Sequence, residues 1–380
     1  MKPACVLPAL LLSGLLLSAS VLPSLAVARP AAEPSAPPQA PAAYIADYAG
    51  KHRFNGTIVV KQRGEVVHAQ SFGEADMAFA VPNTRQTRYR IASITKLFTA
   101  TLVMQLYEQG RLDPDRTIAT YLPDYAGPAA QRVTVHQLLN HTSGIDNMDK
   151  VTSAEQAISE GVPAYQHPYS SDQLLARFAS GPLVHEPGKV FDYNNADYVI
   201  LGKIVERLYG KRFDDVLAER ILRPLAMADS GMLYQHDIVK GLASTYFVRD
   251  NLGRLVNDLP VYPENWYAAG AMYATADDLL KFSDALFAGR LLKPATLAKM
   301  FTPGLDDYGY GLWSYTTKVD AKPYRVVKRP GQIMGAQCQL YRFLDEDLTV
   351  VILSNTGTTD LDEFVAGIGK RYVAASAAGR

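Results

Sequence analysis

Residues 90–98 read RIASITKLF, with a serine, Ser93, three places before a lysine, Lys96, where an apolar run begins. Ile94, Leu97, Phe98, Leu102, Val103 and Leu106 recur with the helical period and predict an amphipathic helix over 93–110. Ser93 then stands at the helix start, where the positive end of the helix dipole acts on its oxygen. A residue three places on lies on the same face, so the Lys96 amine can reach the hydroxyl. A lysine held against a burying surface and other cations loses its proton near neutral pH and can act as a base. Taken alone, the tetrapeptide is better read as an N-cap serine and a solvated lysine. Its meaning depends on partners elsewhere in the chain.

Two stretches supply them. In FDYNNADYVILGKIVERLYG (191–210), Tyr193 and Asn195 immediately precede a helix whose apolar residues are Val199, Ile200, Ile204, Val205 and Leu208. A Tyr hydroxyl shuttles a proton when nearby cations lower its pKa, and an Asn amide can orient a substrate carbonyl or the lysine. The plainer alternative is an Asn N-cap with an aromatic packing contact. In KRPGQIMGAQC (328–338), Gly331 and Gly335 flank Gln332. Glycine on or beside a strand lets a ligand approach the backbone. The Gln332 N–H is therefore one candidate oxyanion donor, with the Ser93 N–H as the second. The plainer alternative is a turn built on Pro-Gly.

Ser93-x-x-Lys96, Tyr193-x-Asn195 and the glycine-containing strand, in that order, resemble the serine β-lactamase and penicillin-binding protein family. The similarity is to its tyrosine-motif branch of class C β-lactamases, D-alanyl-D-alanine carboxypeptidases, D-aminopeptidases and esterases. LLNHTSGI, EPGKVFDYNN, ILRPLAMADSG, AGAMYATADDLLKF and YGYGLW also look like family segments, so the resemblance runs from about residue 42 to 373. It implies an α+β fold, an antiparallel sheet flanked by helices beside an inserted all-helical part, with the site between them. It also implies catalytic Ser93, Lys96 and Tyr193, an oxyanion hole from the backbone of Ser93 and Gln332, and substrate-binding Asn195, Arg329 and Gly331. The activity implied is that of a serine hydrolase working through an acyl-enzyme on an amide, ester or β-lactam. The residues leave open whether Lys96 or Tyr193 is the base. One departure stands out. Where the branch has Lys-Thr-Gly or His-x-Gly, this chain has Arg329-Pro330-Gly331. The cation survives as a guanidinium, which could grip a substrate carboxylate in the cleft. The middle hydroxyl is lost to proline, which argues against an efficient β-lactamase.

Two rivals follow from the same residues. His141 and Ser143 in HTSG could belong to a Ser-His-acid triad, but no Gly-x-Ser-x-Gly elbow surrounds Ser143. A binding or regulatory protein that kept the pocket and lost turnover is the non-enzymatic alternative.

The rest of the chain sets the frame. Residues 1–28 carry one cation, Lys2, then an apolar run ending Ala26-Val27-Ala28, the pattern of a cleaved signal peptide. Residues 29–41 are a Pro/Ala-rich linker. The catalytic domain is expected over 42–376, its α/β part from about 42–90 and 240–376 and its helical part from about 91–239. A periplasmic or secreted location follows, with no stable membrane span after cleavage, because no later run reaches the roughly 20 apolar residues a spanning helix needs. Lys plus Arg balance Asp plus Glu at 38 each, which gives no bulk argument for nucleic acid. The expected partner is a small-molecule or peptide substrate, with cell-wall fragments among the options. No Cys/His cluster has metal-ligand spacing, and no cofactor is expected. Of the two cysteines, Cys5 lies in the signal segment, and Cys338 reads as a buried, inert thiol. β-rich runs around Arg63-Gly64 and around Asp345-Glu346-Asp347 predict hairpins. Helices are also predicted over 134–140, 172–179, 195–209, 213–221, 276–288 and, last, 360–375.

Overall fold

The computed structural model of the chain describes residues 39–151 and 153–378. The signal-peptide expectation and most of the linker fall outside these residues. Folded structure opens with helix α1 (Pro41–Lys51), which Pro41 starts at a position where its missing N–H is not needed. Strands β1 (Gly56–Gln62) and β2 (Glu65–Phe72) follow as the first predicted hairpin, and both turn residues, Arg63 (φ 50°) and Gly64 (φ 86°), are left-handed.

A single turn at Ala92–Ile94 then leads into helix α2 (Thr95–Glu108), and helix α3 spans Asn195–Tyr209. Helix α4 (Ala276–Phe287) is capped by the Thr275 side chain on the Asp278 N–H. The chain next forms β3 (Trp313–Val319), β4 (Lys322–Ile333), β5 (Ala336–Phe343) and β6 (Leu348–Ser354), and ends in helix α5 (Leu361–Ala378).

The main sheet is antiparallel throughout, in the order β3-β4-β5-β6-β1-β2. The first hairpin is thus joined to the last four strands through the β1–β6 pair, Val59 opposite Val351. Alternation across the pleat explains the two cores. Ile58, Val60, Val350, Ile352, Tyr341 and Phe343 face Ile45, Phe364 and Ile368 of α1 and α5. Val59, Val351, Leu353 and Leu340 face the other way, into the core shared with α2, α3 and α4. Strands covered on both sides read as unbroken apolar runs, and LTVVILS of β6 is buried at every position. Phe98 of α2 stacks on Phe282 of α4 at 3.8 Å, fixing the start of α2 against the sheet layer.

The fold is therefore the expected α+β arrangement, with an antiparallel sheet between helices and a largely helical stretch inserted between β2 and β3. The sequence reading missed the helices at Ala154–Glu160 and Pro294–Phe301 and the hairpin of Tyr246–Arg249 with Arg254–Asn257. Among the described residues, no helix is long and apolar enough to cross a membrane.

Candidate active site

The nucleophile candidate sits on strained backbone. Ala92, immediately before Ser93, has φ 46°, a conformation that costs a non-glycine residue free energy and is held here by its surroundings. Those surroundings include the Thr95 hydroxyl, which donates to the Ala92 carbonyl at 2.7 Å, and the Ile91 N–H, which donates to the Met272 carbonyl at 3.0 Å. Ser93 is half-buried, while Lys96, one turn on, is fully buried.

Lys96 Nζ has three polar neighbours: Ser93 Oγ at 3.3 Å, the Ala269 carbonyl at 3.0 Å and Asn195 Oδ1. A backbone carbonyl only accepts. Asn195 Oδ1 also only accepts, and the amide cannot be turned over, because its Nδ2 faces Asp149 Oδ2 at 2.7 Å. Burial, with Arg329 nearby, holds the Lys96 pKa below its ordinary value, although Tyr193 pulls the other way. In the neutral amine, two N–H groups satisfy Ala269 and Asn195. The same three neighbours would satisfy an ammonium, so it is the lowered pKa that frees a lone pair for the Ser93 proton.

Tyr193 stands beside the same pair, within hydrogen-bonding reach of both Lys96 and Ser93. Burial would raise its phenol, but the Arg329 guanidinium and the Lys96 ammonium outweigh burial and bring it down to about 8. Its Oη accepts from Arg329 Nη2, and Lys96 Nζ stands 4.8 Å from its ring centre. The Tyr193 ring lies nearly parallel to that of Trp313, with centres 6.1 Å apart.

Asn194, not Asn195, is the helix cap. Its side chain accepts from the Ala196 N–H at 2.9 Å and donates to the Ile145 carbonyl at 2.9 Å. Asn195 is free to serve the site because its neighbour takes the structural role. Its amide is engaged between Lys96 and Asp149, and it also reaches Tyr165 Oη at 3.3 Å.

Arg329 departs from the sequence expectation. It does point to the Ser93 side of β4, since Lys328 faces the other way and pairs with Asp362 at 3.1 Å. But it is 1% exposed, and its donors go to the Ser93 carbonyl (2.6 Å), Tyr308 Oη (2.8 Å) and Tyr193 Oη. The guanidinium braces the nucleophile's backbone and the tyrosine. A free fork for a substrate carboxylate is not what the geometry offers. Replacing Arg329 with Met should remove the main charge that lowers Tyr193. If the phenolate is needed, activity rises with pH through about 8 in the native chain, and the variant's limb should move up by about one to three pH units. A pH–rate profile reads this directly, with Arg329→Lys restoring much of the native limb.

Gly331 is required by close approach. A Cβ there would lie 2.4 Å from the Ile91 carbonyl oxygen and 3.0 Å from the Ser93 nitrogen. β4 thus passes against the turn carrying the nucleophile, which sets the Gln332 backbone beside Ser93. Pairing with β3 ends at Lys328, so Arg329–Ile333 are bonded to β5 alone and present an edge, where Pro330 forfeits no ladder bond to β3. Gly331→Ala should destabilise by about 1–3 kcal/mol through overpacking and depress turnover by shifting Ser93. Thermal melts together with kcat/KM check both.

The cleft in front of these residues has a volume of 390 Å³, and its wall includes Ser93, Tyr193, Trp313, Gly331 and Gln332. The His141–Ser143 pairing is not formed. His141 Nδ1 meets Asp197 Oδ2 at 2.9 Å, both side chains fully buried, and Ser143 Oγ accepts from the Ile145 N–H at 3.2 Å. Burial, then Lys96 and Arg329, keep His141 well below its ordinary pKa. Cys338 is buried, its thiol pushed up by burial. No cluster of metal-ligating side chains occurs among the described residues.

Sequence reasoning missed Asp149, Tyr165 and Tyr308. Tyr308 opens the segment YGYGLW, noticed only as a family-like string. Asp149 carries no local signal, because its link to Lys96 runs through Asn195, a residue 46 positions away.

The beta-lactamase family profile matches residues 41–374. Penicillin-binding protein 4* of Bacillus subtilis (strain 168) is 26% identical over 328 residues, 80% of this chain and 69% of that one. Esterase EstB of Burkholderia gladioli is 30% identical over 269 residues, 63% of this chain and 67% of that one. A penicillin binding protein from Bacillus halodurans of known crystal structure superposes with a TM-score of 0.73 at 28% identity, covering 88% of this chain and 99% of that one.

Proposed function

Since the chain belongs to the beta-lactamase family, we propose that it is an exported serine hydrolase that opens ester or amide carbonyls through an acyl-enzyme on Ser93. The observation that carries this is the placement of the buried Lys96, whose Nζ lies 3.3 Å from Ser93 Oγ and is held there by the Ala269 carbonyl and Asn195 Oδ1. Lys96 takes the Ser93 proton as Oγ attacks the carbonyl carbon. The backbone N–H groups of Ser93 and Gln332 hold the oxyanion. As the tetrahedral species collapses, the C–O or C–N bond breaks and the leaving group takes a proton from the Lys96–Tyr193 pair. Water, deprotonated by the same pair, then attacks the acyl carbonyl, and Ser93 regains its proton. Tyr193 and Lys96 share one proton inventory, so their titration belongs to the pair.

Esters and amides fit better than β-lactams. Pro330 supplies neither hydroxyl nor N–H to the edge facing the cleft, and Arg329 is turned onto Tyr193, Tyr308 and Ser93. Export rests on the residue 1–28 pattern. The test is a panel of p-nitrophenyl esters, D-amino-acid amides and nitrocefin. Turnover of esters or amides with slow or absent nitrocefin hydrolysis is expected. Binding without turnover of any of them would favour the non-enzymatic alternative.

A further inference from the structure

The segment HTSG (141–144) has no role once the His141–Ser143 pairing fails, yet His141 sits against the site. Its backbone is left-handed, with φ 57°, and its side chain is fully buried. Its ring centre lies 4.4 Å from that of Tyr193, 5.0 Å from that of Tyr308 and 5.1 Å from that of Tyr198. His141 also holds the chain on both sides of Tyr193. Its carbonyl accepts the Asp192 N–H at 2.9 Å, and its Nδ1 accepts the Asn194 N–H at 3.3 Å. Asn147 Nδ2 ties the Tyr193 carbonyl between them at 2.8 Å, so three consecutive residues are held through their backbone.

These contacts set the tautomer of the ring. A nitrogen that accepts an N–H carries no proton, so the proton of the neutral ring is on Nε2. Nε2 has no polar partner, and the aromatic rings around the imidazole accept an N–H weakly. Asp197 Oδ2, 2.9 Å from the bare Nδ1, then has to be the donor, which makes Asp197 a protonated acid. Both neutral forms agree with the surroundings. Burial, which Ser143 and Lys96 oppose and Asp192 reinforces, lifts the Asp197 carboxyl well above its ordinary range. Burial, then Lys96 and Arg329, keep the imidazole from taking a second proton.

We propose that His141 is a positioning residue for Tyr193: as a neutral ring with its proton on Nε2, and with Asp197 donating to Nδ1, it pins residues 192–194 and so keeps the phenol within reach of Lys96 and Arg329. The inference deepens the serine-hydrolase reading and rests on it only for calling Tyr193 catalytic. The Tyr193 hydroxyl is faced by the Arg329 guanidinium from β4 and by Lys96 from α2, with Tyr308 and Trp313 near its ring. A neutral His141 adds no charge to that set, so its influence on the phenol runs through geometry.

Two variants of the full chain separate the acceptor from the ring. His141→Ala removes both, whereas His141→Asn keeps an acceptor about where Nδ1 stands and tolerates a left-handed backbone. The first readout is the tyrosinate ultraviolet difference spectrum against pH, with Tyr193→Phe marking the Tyr193 step by its loss. The native step is expected at about 8. In His141→Ala it should rise by about one pH unit as the phenol drifts from its cations, and in His141→Asn it should stay within about half a unit of native. On a good ester, kcat should fall on the order of a hundredfold in His141→Ala, the cost of misplacing a group by an ångström, with KM little changed. Nitrogen NMR of the histidine-labelled native chain should show a neutral His141 ring protonated on Nε2, its signals assigned by their absence from His141→Asn. Should His141→Ala not fold, the Asn variant's step and the NMR result decide. A Tyr193 step at the native place in both variants, with only the melting temperature lowered, would mean a purely structural histidine and overturn the proposal. A native chain with no such step, a proton on Nδ1 or an imidazolium would overturn it as well. A step that moves as expected in a protein inactive on every ester and amide would sustain the positioning of Tyr193 and remove the hydrolase reading.

Discussion

Ser93→Ala should lower kcat/KM on a good ester by at least about a thousandfold, the scale for removing a nucleophile whose partners remain. The fold should survive. The side chain is half-buried at a helix start, and its backbone, gripped through the carbonyl by Arg329, is unchanged by the substitution. Melting temperature and far-UV spectra should match the native chain. Losing the hydroxyl also removes one neighbour of Lys96 but leaves the bonds to Ala269 and Asn195. Activity retained at the native level would move attention to another nucleophile, and Ser143 is the first to replace.

The second large effect concerns the proton carriers. Lys96→Ala and Tyr193→Phe should each cost about a hundredfold to ten-thousandfold, the range for positioned acid–base groups. The double variant should be little worse than the poorer single one. Both groups touch the same proton, and Arg329 couples them electrically, entering the pKa of each. Effects that multiply would mean that one residue only packs. Lys96→Ala also strands Asn195 Oδ1 and the Ala269 carbonyl in the interior, at about 1–3 kcal/mol for each unsatisfied group. Tyr193→Phe in turn removes the acceptor of the buried Arg329 Nη2, so some loss of stability is expected in both variants, and each melt is read beside its kcat/KM to separate folding from chemistry.

Legibility followed the range of the interactions. Helix Asn195–Tyr209 was readable to the residue because its apolar period is strong and Asn194, Asn195 and Gly210 punctuate it. The hairpins around Arg63-Gly64 and Asp345-Glu346-Asp347 were readable because β-rich apolar runs flank their turns, whereas Tyr246–Arg249 with Arg254–Asn257 is short and partly exposed, with no such run. Helix Ala154–Glu160 spans seven residues, about two turns, after a Ser153 cap, too brief for periodicity to show. For RPGQ the strand reading holds over its plainer turn alternative: Pro330 sits opposite Gln339 and Gly331 opposite Cys338 in a regular ladder. Alternation along that strand settles which way Arg329 points. It says nothing of what waits there, and the two tyrosines that receive the guanidinium come from positions 193 and 308, which no local pattern connects. The same distance hid Asp149. Ser93, Lys96, Tyr193, Asn195 and Arg329 could be named from motifs, whereas Asp149, Tyr165 and Tyr308, which bond to Asn195 and Arg329, needed the folded chain.

The account stands on Ser93 becoming acylated. Incubation with a slowly deacylated ester or a fluorophosphonate, followed by tryptic digestion and mass spectrometry, asks this directly. Cleavage after Arg90 and Lys96 releases IASITK, which contains Ser93. The predicted result is a single label on that peptide, absent from Ser93→Ala. A label on the peptide containing Ser143, or ester hydrolysis with no covalent adduct anywhere, would contradict it.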